Sequence, residues 1–167
     1  APEVAEVILS GIRNEVKKKT EVHESAAKLL LLWNGSHELR DVAPVIYYKL
    51  IYHVLEYAMK DEMGDDNFSV FLTTHVMKNS IAELVKNDSS IWWNDVNTRD
   101  IVESRNMIFE KAYDATINEL IAQLGKNPDT WEWGRVHVLE HKHPIGMKKP
   151  FNIMFNVGPY PIPGGPE

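Results

Sequence analysis

The feature that most constrains this chain is a change of hydrophobic period near Asn127-Pro128. Before that point apolar residues recur every three to four positions, which is the mark of helices with one buried face. Beyond it they recur every second position, the mark of half-buried strands. Val4, Val7, Ile8, Ile12 and Val16 follow the first rule. From Asp41 the stripe is clearer: Val42, Val45, Ile46, Leu50, Val54 and Tyr57 fall on one face, with Asp41 expected as the cap and Pro44 in the first turn. The polar run from Asp61 to Asp66, with Gly64 inside it, is expected to break this helix.

A third helix is expected from about Phe68 to Lys86, with Phe71, Leu72, Val76, Ile81, Leu84 and Val85 turned inward. A fourth should open at Asn97 or Thr98, carry Asp100 in its first turn and stop at Gly125. Its inner face reads Ile101, Ile108, Ala112, Ala115, Leu120 and Leu124, and the small alanines there let a neighbouring helix come close. Residues 1–127 thus form a mainly helical segment of about four helices.

Residues 128–167 form a strand and loop segment. Phe151, Ile153, Phe155 and Val157 alternate with Asn152, Met154 and Asn156, and a second strand is expected over Gly134 to His141. The tail from Gly158 to Glu167 reads as an extended loop. The class is α+β. Two strands alone make no stable sheet, so the two segments are expected to be one incomplete part of a larger domain.

Composition narrows the function. Among 167 residues the net charge is −6, which argues against a nucleic-acid binder because phosphate contacts need a basic footprint. The runs Lys17-Lys18-Lys19 and Lys148-Lys149 read as a solvated helix end and a solvated loop. There is no cysteine, so disulfides, zinc–thiolate sites and thiol catalysis are excluded. The apolar stretch Leu29 to Trp33 falls far short of the roughly 18 residues a membrane-spanning helix requires.

The residues themselves offer little chemistry. No phosphate-binding loop, dinucleotide fingerprint, nucleophile elbow or zinc-binding helix motif is present. Asp65-Asp66 lies in a turn-like segment and reads as solvated or capping. In an extended segment His137, Leu139, His141 and His143 share a face, and three imidazoles there would suit zinc. Strand residues four apart are spread over roughly 13 Å, however, so structural hydrogen bonding is the simpler reading. Trp92-Trp93 and Trp131 with Trp133 either line an aromatic pocket or seal junctions between helices and strands. The glycosylation-type triplets at Asn34, Asn67 and Asn87 read as caps and turns.

Taken in order, several of these residues resemble the back half of the penicillin acylase family of N-terminal nucleophile hydrolases. Leu31-Leu32-Trp33-Asn34-Gly35 is similar to a family turn in which aspartate is usual at the position of Asn34. Trp92-Trp93-Asn94-Asp95, then Thr98 and Glu103, follow at the family's spacing. The most specific element is Trp131-Glu132-Trp133-Gly134-Arg135-Val136-His137, completed by His143-Pro144-Ile145-Gly146. The resemblance runs from about residue 25 to 158.

The resemblance implies a four-layer αββα fold, a periplasmic or secreted location, and a precursor cut into two chains. It implies a serine at the start of the larger chain that attacks an amide carbonyl, with its own α-amine as base. Penicillins, cephalosporin side chains and N-acyl homoserine lactones are the implied substrates.

Residue 1 here is Ala, and nothing in the sequence resembles the family's Ser-Asn start. The expectation is therefore a C-terminal part of the large chain, with no catalytic, cofactor-binding or metal residue of its own. Its partners would be the remaining chain or chains of the same acylase, including the serine-bearing one, and calcium, if any, would bind elsewhere in the parent. The competing reading is a stand-alone helical protein-binding module, and a third is a metalloprotein built on His137, His141 and His143.

Overall fold

The computed structural model describes residues 1–141 and 157–165, the side chains at 75, 78, 141 and 157 excepted. Seven α-helices and one two-stranded sheet make up these residues, so the class is α+β, with more helices than the four expected from periodicity. The expected first helix is two: α1 (Pro2–Gly11) and α2 (Arg13–Val16) meet at Ile12, whose φ of −119° and ψ of 13° leave the helical region. Val4, Ile8, Ile12 and Val16 remain buried through that break, because the apolar stripe continues across it. Next, α3 spans Glu21–Leu31 and buries Ala26, Ala27 and Leu30.

The longest helix, α4 (Ala43–Leu72), carries Pro44 in its first turn as expected. Asp41 is not its cap. The Asp41 carboxylate accepts from the Glu38 N–H at 2.8 Å instead, closing the loop that precedes the helix. Gly64 breaks α4 where the polar run lies, with φ of 74° and ψ of 164° that a residue bearing Cβ adopts only at a cost. The chain resumes helical geometry directly after it, so Phe68 and Phe71 belong to the last two turns of α4.

The expected third helix over 68–86 is therefore divided. Thr73 and Thr74 stop the chain, each donating its hydroxyl to a carbonyl three residues back, Val70 O and Phe71 O, both at 2.7 Å. Such back-bonding competes with continuation of the helical ladder. Then α5 runs from His75 to Lys86 and buries Ile81, Leu84 and Val85. Val76, expected to face inward, is exposed.

The fourth expected helix begins six or seven residues late. Ser104, not Asn97 or Thr98, caps α6 (Arg105–Leu124) by accepting from the Met107 N–H. Upstream, Asp95 accepts from the Asn97 N–H, Glu103 accepts from the Asp95 N–H, and Thr98 Oγ1 lies 3.0 Å from the Glu103 carboxylate. These side chains hold residues 95–103 in a closed loop, which leaves Ile101 on the surface. Gly125 ends α6 as expected, at φ of 95°.

Packing of α4 against α6 forms the centre of the molecule, and α1, α3 and α5 close around that pair. Leu50, Val54, Leu55 and Ala58 on α4 are fully buried, as are Phe109, Ala112 and Ile117 on α6. Ala115 and Leu124 sit at the edge of the packed face.

Beyond a short 3-10 turn at Pro128–Thr130, the stretch expected to be one strand from Gly134 divides into α7 (Trp133–Val136) and β1 (Val138–His141). The partner strand β2 is Val157–Pro161: Val157 belongs to the stretch expected as a strand, and residues 158–161 to the stretch expected as a loop. It pairs antiparallel to β1, Val138 opposite Pro161 and Leu139 opposite Tyr160, with an irregularity before His141. The rest of the expected strand, Phe151 to Asn156, the His143-Pro144-Ile145-Gly146 run and Lys148-Lys149 lie outside the described residues.

Candidate functional site

Four of the five tryptophans are buried, and each spends its indole N–H on a loop carbonyl, three of them just past a helix. Trp93 donates to Asn87 O at 2.7 Å, at the end of α5, and Trp131 donates to Gly125 O at 2.8 Å, at the end of α6. Trp33 donates to Ser36 O at 2.7 Å, just past α3, and Trp133 donates to Gly164 O at 3.0 Å. A helix end leaves several carbonyls without partners. A buried tryptophan there fills the core and satisfies one acceptor at once. Of the rings that the sequence leaves between pocket lining and sealing, Trp133 joins helix to hairpin, Trp93 and Trp131 fill the core at helix ends, and Trp92 is half-buried at the edge of a shallow surface groove.

Two of these tryptophans, far apart in sequence, meet in one aromatic cluster. Trp33 lies 5.3 Å from His37 and 5.0 Å from Tyr47 between ring centroids, and Trp133 lies 5.8 Å from His37 and 5.4 Å from Tyr48. His137 stacks on Trp133 at 4.4 Å. Polar bonds then lock the cluster: His37 Nε2 to the Tyr48 hydroxyl at 2.9 Å, and His137 Nδ1 to Ile162 O at 3.0 Å. Burial raises the Tyr48 phenol above its usual range and pushes Tyr47 up to about 12, so both stay neutral across the physiological range.

The backbone completes this clamp. Trp133 N–H donates to Asp41 O and Gly134 N–H to Leu39 O, both at 2.8 Å, which ties α7 to the loop before α4. Ile162 N–H donates to His137 O, and Gly164 N–H to His37 O. Gly134 is fixed by space: a Cβ there would stand 3.1 Å from Leu39 O and 3.3 Å from Pro161 Cβ. The Trp131 to His137 motif is therefore a structural seam that holds the C-terminal hairpin to the helical body. No spacing in the sequence shows that Trp33, 100 positions upstream, belongs to the same cluster.

Two further clusters pair α6 with its neighbours. His53 sets Nε2 2.9 Å from Glu119 and Nδ1 3.2 Å from Glu56, while Lys49 Nζ holds Glu119 at 2.7 Å. The Lys49 bond, then that of His53, holds the Glu119 carboxyl below its ordinary range. On the other side, Thr20 Oγ1 lies 2.8 Å from His23 Nδ1, and His23 Nε2 is 3.5 Å from Asp114.

That order, hydroxyl to imidazole to carboxylate, is formally a triad, but its geometry suits structure. The Asp114 carboxylate is already held at 2.6 Å by Lys19, burial keeps His23 neutral by lowering its titration, and the contact to Asp114 is long. Thr20 also stands at the start of α3, where its carbonyl accepts from the Glu24 N–H. The cluster fastens α3 to α6, helped by Tyr113, whose hydroxyl donates to His23 O at 2.6 Å.

The other candidate residues serve local structure. Asn34 and Asn87 each accept from a backbone N–H two residues on, and Asn67 donates to Met63 O. Asp65 is exposed and pairs with Lys60. His137 is committed to Ile162 O, His143 and the His141 side chain lie outside the description, and no group of three metal-ligating side chains occurs among the described residues. No described helix is long and apolar enough to cross a membrane.

The comparison with curated proteins finds no matching sequence. The family model of penicillin amidase, by contrast, matches residues 1–167, the whole chain, so the chain belongs to the penicillin amidase family.

Proposed function

We propose that this chain acts within a penicillin acylase-like amide hydrolase as a structural part, bracing a catalytic centre whose serine nucleophile lies in another part of the protein. Membership in an amide hydrolase family supports the reaction class. One observation carries the structural role: the motif most specific to the family is spent on support. Trp131, Trp133, Arg135 and His137 each bond a backbone carbonyl, of Gly125, Gly164, Thr130 and Ile162 respectively. A group that must attack a carbonyl or move a proton needs reach to a substrate atom, and these side chains are spent on the chain's own backbone.

On this reading the reaction is attack on the carbonyl of a linear amide, loss of the amine, and hydrolysis of the acyl-enzyme. The chain contributes the helices behind the centre and the strand edges that continue it. Val138, Leu139 and Tyr160 support the latter, since all three are exposed on the two-stranded sheet, as expected of a sheet with further neighbours in the whole protein.

The test is hydrolysis of phenylacetyl, glutaryl and long-chain acyl amides by the natively purified protein and by residues 1–167 alone. Turnover by the former and none by the latter is expected. Turnover by residues 1–167 that survives repurification would overturn the assignment of the nucleophile to another part.

A further inference from the structure

Asn34-Gly35 is the one Asn-Gly pair in the sequence, and it forms the turn that follows α3. Asn34 is exposed. Its Oδ1 accepts from the Ser36 N–H at 2.9 Å, an Asx turn that folds the carboxamide back along the Gly35 backbone. Gly35 sits at φ of 91°, half-exposed, and has no Cβ to crowd its own nitrogen. The nearest atom to a Cβ built there is Pro2 Cγ, at 3.7 Å. An amide carbon, the following nitrogen and a donor on the amide oxygen are thus held together on the surface.

We propose that Asn34 is a site of spontaneous deamidation through a cyclic imide formed with Gly35. The Gly35 nitrogen loses its proton to hydroxide and attacks Asn34 Cγ, forming a new C–N bond. The Ser36 N–H stabilises the negative charge that develops on Oδ1, as an oxyanion-hole donor does. The bond from Cγ to Nδ2 then breaks, and the nitrogen takes a proton from water and leaves as ammonia. Water opens the five-membered imide at one of its two carbonyls. Opening at the main-chain carbonyl gives isoaspartate, with the backbone routed through the former side chain, and opening at Cγ gives aspartate. No oxidant or reductant takes part.

Both products alter the clamp. A negative charge is created just beyond the C-terminus of α3, where the helix dipole disfavours it. Isoaspartate also adds a methylene to the backbone between Trp33 and Gly35, inside the turn that the bond from Trp33 Nε1 to Ser36 O closes at 2.7 Å. Asn67 and Asn118, by contrast, lie inside α4 and α6 and precede Phe68 and Glu119, whose side chains and helical backbone keep the following nitrogen from the carboxamide.

Trypsin releases Leu29–Arg40, in which Asn34 is the sole asparagine. The natively purified protein is held in mildly alkaline buffer beside the free peptide of that sequence, and samples are digested briefly and analysed by liquid chromatography and mass spectrometry. In the folded protein, Leu29–Arg40 is expected to gain a single mass unit and to split into an aspartyl and an isoaspartyl species within the time the free peptide converts. Asn34→Gln should keep its original mass over the same period. Asn34 persisting in the folded protein while the free peptide converts would overturn the proposal, since the fold would then protect the turn.

Discussion

The helical body and the C-terminal hairpin are held in different ways. In the body, α4 and α6 bury one another along their length, and the interior is made of Leu50, Val54, Leu55, Phe109 and Ile117. Among the described residues of the hairpin, Val138, Leu139 and Tyr160 are 45%, 43% and 61% exposed. The hairpin stays in place through backbone bonds at Asp41, Leu39, His37 and His137, and through the ring contacts of Trp133 with His137, His37 and Tyr48. The body carries its stability in apolar area, whereas the hairpin depends on a few directional contacts around one seam.

The contrast can be broken most severely in the body. Trp93→Ala removes a fully buried ring and leaves Asn87 O without its donor, so a loss of about 3–5 kcal/mol is expected in urea unfolding followed by helical circular dichroism. Trp133→Ala deletes a ring of similar size but should act locally. The amides of β1 and β2 should lose protection in hydrogen exchange, while those of α4 and α6 keep most of theirs. Equal loss of protection in α4 and in β1 would show that body and hairpin form one cooperative unit.

A smaller change sharpens the seam. Gly134→Ala places a methyl against Leu39 O and Pro161, and is expected to cost about 1–3 kcal/mol with the same local exchange signature.

Smaller still is the effect of Glu119→Gln on the contact between α4 and α6. Glu119 is about a third exposed, so solvent screening limits the loss near neutral pH to roughly 0.5–1 kcal/mol. Because the folded carboxyl titrates below its ordinary value, its contribution is full above the unfolded carboxylate range and fades as pH falls through the folded pKa. His23, lowered by burial, acts in the same direction: its stabilisation is present above the unfolded histidine value and is lost as pH drops through that value toward the folded one. Urea midpoints measured from neutral pH into acid should therefore fall for the parent chain, and the gap between parent and Glu119→Gln should close at the acid end.

Much of the body was legible in the sequence because its signals are local. Pro44 in the first turn, the break around Gly64 and the stop at Gly125 each follow from the geometry one residue allows. The start of α6 was not legible, since Asp95, Thr98 and Glu103 bond one another across the loop and cancel the cap that Asn97 or Thr98 would supply. Nor was the break at Thr73-Thr74, where hydroxyls chose carbonyls within their own turn. The seam was half legible. Its Trp131 to His137 segment stands out as a motif, but Trp33, His37 and Tyr48 join it only through the fold. Beyond Val157, strand β2 escaped because glycine and prolines mark a loop in sequence, while pairing with β1 is a matter of partners.

The central claim, that the attacking serine lies in another part of the protein, is tested most directly by covalent labelling. The natively purified protein, shown to be active on an acyl amide, is treated with phenylmethanesulfonyl fluoride until activity is lost, and the modified residue is located by peptide mass spectrometry. The account predicts a single sulfonylated serine outside these 167 residues. Stoichiometric label on a serine or threonine within them, Thr20 beside His23 above all, would contradict it.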